Sequence, residues 1–127
     1  MRIFKLASFA KFAQKQDISD ESLRDAIERA EKGLVDADLG DGVIKQRVAK
    51  QGKGKRGGFR TIIIFRSMKR GFFVYGFAKN EQENIRRDEK IALKNLAPYL
   101  LNLPEDGINQ LIENGTYMEV ECNGKTI

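Results

Sequence analysis

Residues 59–66 read FRTIIIFR. Every position but the two arginines is β-branched or aromatic, the composition of a strand. One alternating set is Arg60, Ile62, Ile64 and Arg66, and the other is Phe59, Thr61, Ile63 and Phe65. Both sets carry large apolar side chains. A strand apolar on both faces belongs in the middle of a sheet, so the spacing predicts a central strand covered on one side by helices. Its neighbours are legible too. Val43–Ala49 precedes it, with Lys45 and Arg47 on one face. Gly71–Ala78, GFFVYGFA, follows it, with Tyr75 and Phe77 on a shared face and Lys79 just beyond. Short connections make the three strands antiparallel.

Helical signals lie on either side of this core. Arg2–Leu6 reads as a first strand, and Ser8 is placed to cap a short helix with Phe9, Phe12 and Ala13 inward. Ser19 caps a second helix, with Asp20 and Glu21 in its first turn and Ile18 and Leu23 at hydrophobic-staple spacing. Leu23, Ala26, Ile27 and Ala30 form its apolar stripe, and Gly33 ends it. Residues 36–42, DADLGDG, read as a loop with a turn at Asp41–Gly42. After the sheet, Asn80 can cap a short turn with Glu83. Asp88 then starts a helix that Pro98 should end or kink. Pro104 suits the first turn of a last helix, with Ile108, Leu111 and Ile112 inward and Asn114–Gly115 as its stop. Tyr117–Glu121 reads as an edge strand. The order β-α-α-β-β-β-α-α-β predicts an α+β fold: a small antiparallel sheet with helices packed on one face. At 127 residues the chain is read as a single domain, 1–127.

Composition narrows the function. The net charge is +5, but eleven Lys and Arg fall between Val43 and Lys79 with no Asp or Glu among them. The rest of the chain holds twelve cations against eighteen acids. A solvated surface normally mixes signs, so this segregation reads as the footprint of a polyanion. The lone Cys122 allows no internal disulfide, and no apolar run reaches the ~18 residues of a membrane span. Both fit a cytoplasmic protein. The acid-free start resembles a transit peptide, but it also reads as strand then helix, with Lys5 and Lys11 interrupting any secretory core. The absence of histidine removes the usual general base and the commonest metal ligand. No cofactor and no metal site are expected.

The densest charge lies in residues 50–60, KQGKGKRGGFR, with five cations and four glycines. Gly52, Gly54 and Gly57 match G-x-G-x-x-G. A dinucleotide loop must lead into a helix, however, and here the glycines lead into a strand. They are read instead as a mobile basic hairpin tip. Lys53, Lys55 and Arg56 from this tip, Arg60 at the start of the central strand and Lys79 at the end of the next are placed to converge on one phosphate.

KGKRGGFRTIIIFR followed by GFFVYGFAKNEQENI resembles the RelE/ParE superfamily of type II toxins, particularly its HigB-like branch. The similarity runs over nearly the whole chain and takes in the GLVDADLG connection. It implies a ribosome-dependent mRNA endonuclease that needs no metal. It also implies a cognate antitoxin, often of helix-turn-helix type, as partner, together with the ribosome and mRNA. On this resemblance the catalytic positions are Lys53, Lys55, Arg60 and Lys79. Lys45, Arg47, Arg56, Arg66, Asn80 and Arg86 are RNA-binding candidates. Asn80 stands where the family usually has an arginine, and Arg86 stands near the place of a functional tyrosine. Crowded lysines have lowered pKa values, which makes Lys53 or Lys55 usable as a base. Two other classes share the residue pattern. One is a ParE-like inhibitor of a protein target such as DNA gyrase; the other is a non-toxic nucleic-acid-binding regulator.

Overall fold

The computed structural model describes residues 1–50, 54–78 and 85–120, with the backbone alone at 50 and 54–57. The described elements are β1 (Arg2–Leu6), α1 (Ala7–Lys15), α2 (Asp20–Glu31), β2 (Ala37–Gly40) and β3 (Val43–Lys50). They continue with β4 (Gly54–Arg66), β5 (Arg70–Ala78), α3 (Arg87–Leu101), α4 (Glu105–Glu113) and β6 (Tyr117–Glu119). The strands form one six-stranded sheet in the order β2-β3-β4-β5-β1-β6. The fold is α+β, and the sheet is antiparallel except where β1 runs parallel to β5.

FRTIIIFR sits in the middle, as its two apolar faces require. Ile63 and Phe59 belong to one core with Ile3, Phe9, Leu23 and Ile27, under α1 and α2. Phe9 stacks on Phe73 at 5.4 Å between ring centroids, and Phe12 meets Phe59 edge-on at 5.5 Å. Ile62 and Ile64 face the other way, into a second core with Phe4, Phe72, Ala97, Leu100 and Ile108. The expected helical layer is therefore present on one face. α3 and α4 add a second layer over part of the other, because Ile62, Ile64 and Phe72 would otherwise meet water.

The α2 boundaries follow the sequence. Ser19 Oγ accepts from Ser22 N at 3.2 Å, and Gly33 takes the left-handed φ of +82°. Several expectations change. Ser8 is not a cap: α1 begins at Ala7, with Leu6 at the N-cap and no side-chain hydrogen bond there. Residues 36–42 are not all loop. Ala37–Gly40 pairs with β3 as an edge strand, closed by the Asp41–Gly42 turn, where both residues have positive φ. The edge of β3 supplies partners to four residues whose own sequence is too short to alternate. Pro98 does not end α3, which runs on to Leu101. Proline leaves one intrahelical bond unmade. The last turn is held from outside, with Arg66 donating to Leu101 O at 3.2 Å and Arg70 to Leu100 O at 3.0 Å and Leu103 O at 2.6 Å. Pro104 is the N-cap of α4, not a residue of its first turn. Glu83 and residues beyond 120, including Glu121 and Cys122, lie outside the described residues.

Candidate nucleic-acid interface

Antiparallel pairing turns directly opposed residues to the same face. Arg47 on β3 stands opposite Arg60 on β4, and Phe77 on β5 lies on the other side of Arg60. One step along the strands, Lys45 and Tyr75 flank Ile62 in the same way. Two rungs, Arg47–Arg60–Phe77 and Lys45–Ile62–Tyr75, thus cross three strands on the α3 side of the sheet. Ile62 is fully buried there, while Lys45, Arg60 and Tyr75 are half-buried and Arg47 is exposed.

Arg47 is held through its backbone. β2 ends before it, leaving its N–H and C=O without a ladder partner. Asp36 Oδ2 accepts from Arg47 N at 2.6 Å, and Arg29 on α2 donates to Arg47 O. Next to it, fully buried Gln46 reaches to the opposite face. Its Nε2 donates to Ala26 O and Leu34 O, each at 3.0 Å, and its Oε1 accepts from Asp36 N at 2.9 Å. This polar clamp fixes the α2–β2 connection and with it the strand that carries Lys45 and Arg47.

Among the described residues no ion pair involves Lys45, Arg47 or Arg60. Like charges directly opposed on neighbouring strands are destabilising. The Arg47–Arg60 rung therefore presents a field with no counter-charge of its own.

The β3–β4 hairpin is longer than the sequence suggests. Val48 pairs with Phe59 and Lys50 with Gly54, so Ala49 alone stands against Lys55–Gly58. Lys55 and Arg56 lie on a bulged part of β4, where they were expected in a loop. The closeness of β3 accounts for Gly58, since a Cβ there would come within 2.2 Å of Val48 O. Lys53, Lys79 and Asn80 lie outside the described residues.

The remaining candidates stand apart from the rungs. Arg66 shares the face of Arg60 but lies six residues up β4, about 20 Å away at ~3.4 Å per residue. Its guanidinium binds Leu101 O and Asn102 Oδ1. Arg86 is the N-cap of α3. Its backbone N–H donates to Glu89 Oε1 at 3.1 Å, and its exposed guanidinium lies 3.3 Å from Glu89 and 3.6 Å from Asp88. Among the described residues no group of three or more His, Cys, Asp or Glu is assembled to hold a metal, and no helix is long and apolar enough to cross a membrane.

Sequence reasoning missed the supports of the face, Asp36, Arg29 and Gln46. Their partners are backbone atoms ten or more residues away, which no local pattern reveals.

Fold and charge together define a small α+β domain with one basic, partly open sheet face. The family model described as RelE toxin of RelE / RelB toxin-antitoxin system matches residues 1–120, and the chain belongs to that family. It is a toxin-antitoxin toxin, of a kind that pairs with an antitoxin.

Proposed function

We propose that this toxin is a ribosome-dependent mRNA endonuclease. The observation that carries the reading is the Arg47–Arg60 rung with Lys45 beside it: three cations on a sheet face, with no acid paired to them among the described residues. RNA supplies its own nucleophile. The 2′-hydroxyl loses its proton to a base and attacks the adjacent phosphorus. The 5′-oxygen leaves with a proton, giving a 2′,3′-cyclic phosphate and a 5′-hydroxyl. Arg60, fixed on the central strand, suits the extra charge of the phosphorane, since a guanidinium grips two phosphate oxygens at once. Lys53 or Lys55 is assigned as the base and Lys79 as a further cation at the phosphate. Lys45, Arg47 and Arg56 hold the RNA backbone, and Asn80 is assigned as a further RNA-binding residue. Arg66 and Arg86 are less suited to RNA, because each already has an intramolecular partner.

The reading places the protein in the cytoplasm with ribosomes and mRNA. A helix-turn-helix antitoxin with an acidic surface over the cationic face would block ribosome entry and catalysis together. Incubating the toxin with mRNA, with and without programmed ribosomes, tests the proposal. Cleavage only with ribosomes, leaving cyclic-phosphate ends, is expected. Intact mRNA in both arms, with gyrase inhibited instead, would overturn it in favour of a protein target. Intact mRNA together with tolerance of strong expression would make the chain a non-toxic binding protein.

A further inference from the structure

The cationic face carries two aromatic rings, Phe77 and Tyr75, to which the endonuclease reading assigns no role, and Tyr75 is the more exposed of the two. Strict alternation along β5 would turn Tyr75 toward α1, as it turns Phe73. The pairing prevents this. Ile62 faces Tyr75 while Ile63 faces Phe73, so Val74 is an extra residue in β5. Such bulges re-aim side chains and are common beside active sites. Here the bulge sends Val74 and Tyr75 to the same face, and the core contacts bear this out. Val74 and Phe77 belong to the α3-side cluster, with Tyr75 packed against it. The alternation then resumes with Gly76 toward α1, where a Cβ would come within 2.5 Å of Phe12 and 3.0 Å of Phe9. The chain accommodates an extra residue and a glycine under α1 in the arrangement that puts Tyr75 beside the cations.

Tyr75 is diagonal to Arg60 across neighbouring strands, about 7–8 Å between Cα atoms by sheet geometry. Its ring leans on Phe77, with centroids 5.9 Å apart. Phe77 is only 3% exposed and acts as a floor, whereas Tyr75 is half-buried and partly open. An aromatic face beside backbone-binding cations is the arrangement that holds single-stranded nucleic acid, because every base has a π-face.

We propose that Tyr75 is a base-stacking platform: its ring receives the base of a single-stranded RNA nucleotide next to the phosphate held at Arg60. This rests on the RNA reading above but is separable from cleavage. The probe is a set of 2′-O-methyl hexaribonucleotides, which have no 2′-hydroxyl nucleophile, with 2-aminopurine placed at each position in turn. The full-length wild-type toxin should quench the fluorescence at one position. Tyr75→Phe should bind and quench as wild type does. Tyr75→Leu, its folding checked by thermal melting, should lose the quench and weaken binding roughly tenfold to a hundredfold.

Wild-type binding without quenching at any position would overturn the proposal, and needs no variant that folds. So would a folded Tyr75→Leu that keeps affinity and quench, or a Tyr75→Phe that loses both, which would assign the contact to the hydroxyl. A toxin that shows the expected quench pattern yet leaves ribosome-bound mRNA intact would uphold the platform and refute the endonuclease.

Discussion

Arg47 and Arg60 face each other directly across β3 and β4 with no carboxylate paired to either among the described residues. The sheet contains a second arginine rung, in which Arg70 on β5 stands between Arg2 on β1 and Arg66 on β4. There the charge is partly offset by carboxylates. Arg2 binds Glu105 at 2.6 Å and Glu119 at 2.9 Å, and Arg70 lies 3.3 Å from Glu105. The same face of the sheet thus treats its two arginine rungs differently, and only the Arg47–Arg60 rung lies in the part assigned to RNA.

Arg47→Glu should convert the repulsive rung into an attractive one. Cross-strand charge pairs are worth roughly 0.2–1 kcal/mol, so the variant should melt a few degrees above wild type. It should also bind ribosomes or single-stranded RNA far more weakly. Wild-type binding retained by the more stable variant would remove Arg47 from the interface.

Arg60→Lys keeps the charge but loses the two-point grip on phosphate. Its loss should fall on single-turnover cleavage, with ribosome binding little changed, because an interaction made only in the transition state lowers turnover. Lys53→Arg or Lys55→Arg should behave likewise if that lysine is the base, since arginine cannot give up its proton near neutral pH. Full cleavage rates in both lysine variants would leave these residues with an electrostatic role alone.

Gln46→Leu fills the same space but removes the side-chain partner of Asp36 N and Leu34 O and the second donor to Ala26 O, which keeps its bond within α2. A buried group left unpaired costs about 1–3 kcal/mol. Because the groups at Leu34 and Asp36 are only partly buried and can turn to water, a loss of about 1–3 kcal/mol in all is expected in denaturant unfolding. An unchanged midpoint would mean that the clamp contributes nothing to stability.

Acid should loosen the far edge of the sheet. The hydrogen bond and charge of Arg2 hold the Glu119 carboxyl below its ordinary 4.5, against an opposing push from burial. A lowered folded-state pKa stabilises the fold above 4.5, and that contribution is lost as pH falls through the depressed value. The effect is modest because both side chains are partly exposed. Arg2→Met should lower stability at neutral pH and flatten its decline on acidification below about 4.5, read as melting temperature against pH. A parallel decline in both proteins would assign acid sensitivity to other carboxylates.

The sequence by itself determined the centre and the local boundaries. FRTIIIFR could only be an inner strand, because both of its faces are apolar. Ser19, Gly33 and Asp41–Gly42 mark ends and turns through their own side-chain or backbone chemistry. The segregation of cations into residues 43–79 was legible as a polyanion footprint before any fold was known. What the sequence left open depends on partners distant along the chain. β2 exists because β3 offers an edge to Ala37–Gly40. The parallel placement of β1 beside β5 joins residues nearly seventy positions apart, Arg2 with Arg70. α3 and α4 take the second face because Ile62, Ile64 and Phe72 leave it apolar at one end. The bulge at Val74 is written in no local pattern, since two adjacent residues pointing the same way contradict the period of a strand. Only the pairing of β5 with β4, under the rings of Phe9 and Phe12, turns Tyr75 onto the face that carries Lys45, Arg47 and Arg60.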